Sequence, residues 1–120
     1  MLEQDEASIS RMVRVNCEAP VLLARAMLPA MARRGRGGML VVASVAGHLS
    51  TPWMSLYGGT KAFDLHWGEG VAVEMRSQGV DVLVSSPGHT RTEFHGAAGV
   101  DQSATGGSSS PVDVVRTALD

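Results

Sequence analysis

The chain predicts an α/β fold, a partial doubly wound parallel sheet covered by helices. Three observations point there: the elements run helix, strand, helix, strand; both helical spans are long enough to cross over a sheet; and both strands are short and continuously apolar. Its 120 residues make one domain at most. Two strands are only half a sheet, and each would leave an exposed edge.

Ser8 to Arg34 reads as the first helix. Ile9, Met12, Val13, Val21, Leu22, Met27, Leu28 and Met31 supply its apolar positions, with Ser8 as N-cap. Pro20 has no N–H to offer the carbonyl four residues back, which predicts a kink near Asn16. Gly35, Gly37 and Gly38 end the helix, and Met39 to Ala43 reads as a strand covered on both faces. A loop from Val45 to Met54 carries Gly47 and Pro52.

Ser55 to Ser77 is the second long helix, with Leu65, Val71, Val73 and Met75 on its apolar side. Gly68 and Gly70 weaken it, each by about 1 kcal/mol against alanine. Gly79 is its C-terminal stop, and Val80 to Val84 is the second strand. Beyond Pro87-Gly88 the pattern turns irregular. Gly96 to Ser110, rich in Gly and Ser, reads as a flexible loop, and Ser110-Pro111 opens a short helix with Pro111 at its first position.

Composition excludes several functions. The net charge of −2 offers no basic patch for nucleic acid, and Arg33, Arg34 and Arg36 are cations placed to complement a helix C-terminus. Cys17 is the only cysteine, so an internal disulfide and a cysteine-based zinc site are excluded. It reads as a small buried residue in a reducing compartment. His48, His66, His89 and His95 share no helix face and no bracketing carboxylates, so no metal site is expected. Gly-x-Ser-x-Gly is absent, which sets aside a serine hydrolase. No apolar stretch is long enough to cross a bilayer, and the acidic N-terminus is no signal peptide; a cytoplasmic protein is expected.

The chemistry gathers around one pair. Tyr57, the only tyrosine, stands four residues before Lys61, the only lysine, and Ser44 lies thirteen residues upstream of Tyr57. On a helix, residues four apart share a face, so phenol and ammonium can act on one ligand. A free tyrosine titrates near ~10, too high for easy proton exchange near neutrality. A cation close by favours the phenolate and makes the group a usable acid or base. A serine hydroxyl beside it can hold and polarise a carbonyl oxygen. Taken alone, a Tyr/Lys pair on a helix is usually a solvated face, and the surrounding landmarks decide.

Those landmarks resemble the short-chain dehydrogenase/reductase family, specifically its C-terminal half, from about Val13 onward. Val15-Asn16 is similar to the helix asparagine that holds a water beside the active-site lysine through its kinked backbone. Ser44 matches the serine that ends the central strand and binds the substrate carbonyl, Tyr57 the catalytic tyrosine, and Lys61 the ribose-binding lysine. Pro87-Gly88-His89-Thr90-Arg91-Thr92 resembles the family's Pro-Gly-x-Val-x-Thr segment facing the nicotinamide. Thr92 would then bond the carboxamide and Thr90 would offer its backbone; Thr90 replaces a usual valine, so its hydroxyl needs a partner if buried.

The resemblance implies a Rossmann-like sheet, NAD or NADP as cofactor, and a ketone or secondary alcohol as substrate. It implies a catalytic set of Asn16, Ser44, Tyr57 and Lys61. Cofactor contacts fall to Tyr57, Lys61, Pro87, Gly88, Thr90 and Thr92, and substrate contacts to Ser44, Trp53 and His89, with 96–110 as a substrate-side loop. It also implies a homodimer or tetramer through helices 8–34 and 55–78. Nothing in the 120 residues matches the family's Thr-Gly-x-x-x-Gly-x-Gly loop, whose helix N-terminus holds the pyrophosphate. Gly35-Arg36-Gly37-Gly38 precedes a strand instead of following one, as a helix-to-strand turn. The N-terminal nucleotide-binding βαβ units are therefore missing, and the chain reads as one truncated catalytic domain over 1–120. The alternative reading is a non-catalytic fragment acting as a dimerisation module, or a truncated gene product.

Overall fold

The computed structural model describes residues 4–50, 52–92 and 108–120, in two compact units divided after Ser86. The first unit begins with α1 (Glu6–Val13), passes into a five-residue π segment (Arg14–Glu18), and continues as α2 (Ala19–Arg33). The irregularity expected near Asn16 is thus a π segment centred on it. Pro20 follows that segment in one continuous helical span, and the turn before the proline widens, with the Ala19 N–H donating to the Arg14 carbonyl five residues back. A second proline, Pro29, lies inside α2.

The cap of the first helix is Asp5, not Ser8. Asp5 Oδ1 accepts the Ser8 N–H at 3.0 Å and its Oδ2 the Ser8 hydroxyl at 2.7 Å. Both residue types cap well; the carboxylate accepts two bonds at once and also faces the helix dipole. These bonds hold the Asp5 carboxyl below its usual range.

Arg34 closes α2, and Gly35 follows at φ 64. The Gly35 N–H donates to the Ala32 carbonyl at 3.0 Å and the Arg36 N–H to the Met31 carbonyl at 3.3 Å, the paired bonds of a Schellman cap. β1 (Gly37–Val42) then leads to a short 3₁₀ turn (Val45–Gly47), α3 (Ser55–Arg76) and β2 (Val80–Ser85). The strands pair in parallel from Gly37↔Val80 to Val42↔Ser85, joined by the α3 crossover. Gly79 sets the register's start: it has φ 69, and a Cβ there would lie 2.4 Å from the Gly35 carbonyl oxygen. The two helix ends touch backbone to backbone, so both strands leave from one level.

The core lies between α3 and one face of the sheet, with Val41, Ala43, Leu65, Val71 and Val80 buried. Gly68 is a packing residue rather than a mere weak point. A Cβ on it would stand 2.6 Å from Val84 Cγ2, so its absence lets α3 lie close on the strands. Gly70, by contrast, has open space around it. The expectation that both sheet faces are covered needs correcting, because Leu40, Val42 and Leu83 are exposed among the described residues. Continuous apolar strands mark two faces built for burial, and the described part of this unit covers one.

The second unit contains the Pro87–Thr92 stretch and α4 (Pro111–Leu119). Ser110 caps α4 as expected: its Oγ accepts the Asp113 N–H at 3.1 Å and donates to Asp113 Oδ2 at 2.6 Å. Residues 96–107 of the expected loop, and His95, lie outside the described residues.

Candidate active site

Tyr57 and Lys61 stand one turn apart near the N-terminus of α3, on one helix face. The Lys61 side chain is 15% exposed, and its Nζ donates to the Val42 carbonyl at 2.8 Å and to Asp64 Oδ2 at 3.0 Å. An ammonium has three donors, so one remains for a further acceptor. The bond to Val42 ties the helix to the end of β1, two residues before Ser44.

Ser44 heads the 3₁₀ turn. Its Oγ accepts the Ala46 N–H at 3.2 Å, and its carbonyl accepts the Gly47 N–H at 2.9 Å. Gly47 lies directly on α3: a Cβ there would come within 2.7 Å of the Lys61 carbonyl carbon and oxygen. The Val42 bond on one side of Ser44 and the Gly47 contact on the other both land on Lys61. Ser44 is therefore held at the lysine's end of the helix.

Asn16 reaches α3 through a side-chain relay. Its Nδ2 donates to Thr60 Oγ1 at 2.9 Å, and that hydroxyl donates to the Tyr57 carbonyl at 2.8 Å. Thr60 is buried at 4% exposure, so this is a fixed link between the π segment and the helix turn that carries Tyr57. The structure thus brings Asn16, Ser44, Tyr57 and Lys61 onto one assembly.

Cys17, beside Asn16, is half-buried. Burial pushes its thiol up from the usual value, the Asp64 charge adds to this, and the Lys61 charge partly offsets it. The folded chain therefore holds this proton more tightly than the unfolded one. The resulting stability is present below the unfolded thiol pKa and is lost as pH rises through the folded one. We expect iodoacetamide to alkylate Cys17 more slowly in the folded chain than in urea at slightly alkaline pH. Equal rates would mean the thiol is not shielded.

The Pro87–Thr92 stretch is described within its own unit. The Ser109 N–H donates to the His89 carbonyl at 2.9 Å, the Arg91 N–H donates to the Ser109 carbonyl at 3.0 Å, and Thr90 and Ser109 form a parallel bridge. The hydroxyl that Thr90 carries in place of valine finds a partner in the Gly88 carbonyl at 3.1 Å. His89 is exposed, as is Gly88. Trp53 is 93% exposed with φ 68, a left-handed conformation uncommon for a bulky side chain.

Two residues of the site were not singled out from sequence. Thr60 joins Asn16 to Tyr57, and Asp64, 2% exposed, is the ion-pair partner of Lys61. Asp64 carries a readable signal: it falls three residues after Lys61 and seven after Tyr57, so it lies on the same helix stripe.

The family model for short chain dehydrogenase matches residues 1–103. The very-long-chain 3-oxoacyl-CoA reductase of Neurospora crassa is 35% identical over 81 residues, which cover 68% of this chain and 24% of that protein. Dehydrogenase/reductase SDR family member 7B of Danio rerio is 35% identical over 121 residues, covering 93% of this chain and 39% of that protein. Among solved structures, a short-chain dehydrogenase from Sphingobium yanoikuyae in complex with NADPH superposes with a TM-score of 0.94 at 33% identity, over 99% of this chain and 46% of that one. The bulky-bulky ketone specific alcohol dehydrogenase from Comamonas testosteroni follows with a TM-score of 0.85 at 31% identity, over 99% of this chain and 44% of that one. The chain thus spans about a quarter of the Neurospora relative and under half of these solved structures. By sequence and by fold, it belongs to the short-chain dehydrogenase family.

Proposed function

We propose that these residues form the catalytic half of an NAD(P)-dependent oxidoreductase that interconverts ketones and secondary alcohols. The observation that carries this reading is Lys61. Its ammonium is fixed to the end of β1 beside the Ser44 turn, one helical turn from Tyr57, with one N–H left to donate. That free donor fits a ribose hydroxyl, whereas the pyrophosphate anchor has no counterpart in these 120 residues.

Lys61 would hold the ribose; Tyr57, Pro87, Gly88, Thr90 and Thr92 would complete the nicotinamide side. When bound, the dinucleotide supplies or accepts a hydride at the substrate carbon. Tyr57 gives its phenol proton to the substrate oxygen in the reductive direction, and Ser44 Oγ holds that oxygen in place. The Lys61 charge favours the phenolate left behind. Asn16 keeps the tyrosine-bearing turn in register through Thr60 and stands on the route by which a replacement proton arrives from water. By the family resemblance, Trp53 and His89 would be the substrate contacts. We read 1–120 as part of one catalytic domain.

No helix among the described residues is long and apolar enough to cross a membrane. The net charge of −2 gives no reason to add a nucleic-acid partner.

The test is a graft. These residues replace the matching segment of the Sphingobium yanoikuyae dehydrogenase, and NADPH-dependent reduction of a panel of ketones is followed. The graft should turn over at least one ketone, whereas the 120-residue chain alone should not. A folded graft without turnover, or turnover by the chain alone, overturns the respective half of this reading.

A second reading has its own observation. Leu22, Leu23 and Met27 on α2, and Phe63 and Val73 on α3, are exposed, with Phe63 stacked on Trp67 at 6.1 Å. Such a surface suits pairing of helices 8–34 and 55–78 with a second subunit, as a dimer or tetramer. A chain that dimerises but gives no heat with NADH or NADPH in calorimetry is an interaction module, not half an enzyme.

A further inference from the structure

We propose that Asp64 is a positioning residue that holds the Lys61 ammonium and sets the pH at which Tyr57 exchanges its proton. The inference rests on the acid–base role given above to Tyr57 and deepens it.

Asp64 is the largest fully buried side chain among the described residues, at 2% exposure. Its Oδ2 takes the Lys61 bond at 3.0 Å, while its Oδ1 is buried and has no hydrogen-bond partner among the described residues. Burying a carboxylate with one oxygen unpaired costs stability that an apolar residue at this position would not. Its neighbours toward the C-terminus are core: Leu65, Gly68 and Val71 are buried. A charge kept there against its cost is explained by what it does to its neighbour.

That neighbour is fixed by geometry. The Val42 carbonyl and Asp64 Oδ2 hold two of the three ammonium protons, so Lys61 is tethered from the strand and from its own helix. The tether aims the remaining donor and also places a negative charge against the positive one. A cation near a phenol favours the phenolate, and a carboxylate 3.0 Å from the Lys61 ammonium offsets that cation's charge.

The surroundings leave few competitors. Cys17 faces the pair from the π segment, where the two charges act on its thiol in opposite directions. β1 (GGMLVV) carries no ionisable residue. Asp81 of β2 is exposed and pairs with Gly38, at the opposite end of the ladder from Val42. His48, after the 3₁₀ turn, bonds Ser86 Oγ at 3.0 Å.

Because the chain has one tyrosine, its ultraviolet phenolate band reports Tyr57 without any turnover. The band is titrated in the parent, Asp64→Asn and Asp64→Glu, with circular dichroism as the check on folding. Asp64→Asn should move the midpoint down by about one pH unit, the effect of removing one nearby charge. Asp64→Glu, which keeps the charge, should stay near the parent. A midpoint unmoved or raised in folded Asp64→Asn overturns the proposal and leaves Asp64 a structural ion pair. If the isolated variants do not fold, the pH–rate profile of the graft reads the same quantity: the limb due to Tyr57 moves to lower pH in Asp64→Asn, and coincident limbs overturn the proposal. Tyr57→Phe in the graft separates the two failures. Activity surviving that substitution defeats the assignment of Tyr57, whereas activity lost there with an unmoved Asp64→Asn limb defeats only the role of Asp64.

Discussion

Tyr57→Phe in the graft is expected to lower kcat for ketone reduction by about 10²–10⁴-fold, the usual worth of a positioned general acid. The ring stays and only the hydroxyl goes, so the half-buried packing of this residue is preserved. The Thr60 hydroxyl donates to the Tyr57 backbone carbonyl at 2.8 Å, a bond that does not depend on the side chain. Asn16 therefore keeps its link to the helix, and Lys61 keeps its bonds to Val42 and Asp64. The loss should fall on kcat with KM for NADPH little changed, because the phenol proton matters chiefly in the transition state. An unchanged kcat would mean that another group delivers the proton. A collapse of NADPH affinity with kcat intact would leave Tyr57 its cofactor contact and remove its role as acid.

Much of the fold was legible because local signals and tertiary demands coincide. The helix expected at 55–77 is observed as Ser55–Arg76 and the strand expected at 80–84 as Val80–Ser85, with Gly79 in the turn between them. The Tyr57/Lys61 pair followed from spacing along one helix, whereas the place of Ser44 at a strand end came from the family resemblance. The missed parts are long-range. Pro20 announces a disturbance, but whether the backbone answers with a kink, a break or a π segment depends on what packs against it. Asp5 and Ser8 are both good caps, and the first turn has too few apolar residues to choose between them. Asp64 sits in a stripe of core residues, where sequence alone cannot tell a buried charge from a solvated one. Gly68 looks like a weak point until the strand it approaches is known.

The same distinction, between a glycine needed for the chain and one needed for space, makes Gly47→Ala the most damaging small change near the site. Gly47 has no positive φ to defend; what it lacks is room. A methyl group would meet the Lys61 carbonyl carbon and oxygen at 2.7 Å and the Ala62 nitrogen at 2.9 Å. These are helix backbone atoms bonded into α3, so the turn must move instead, and overpacking of this kind costs about 1–3 kcal/mol. The movement has a direction. Gly47 is tied to Ser44 by the 2.9 Å bond that closes the turn, so the serine is carried away from the Lys61 end of α3 with it. The denaturant midpoint of the chain should fall, and kcat of the graft should fall further than stability explains at temperatures where it is fully folded. Gly59→Ala is the control, since a Cβ there meets nothing within 4 Å and the position is exposed on α3. That change should stabilise by up to about 1 kcal/mol through helix propensity and leave the chemistry alone. If Gly47→Ala matches Gly59→Ala in both readouts, the turn is looser than the contact requires. Ser44 would then owe its position to the Val42–Lys61 bond alone.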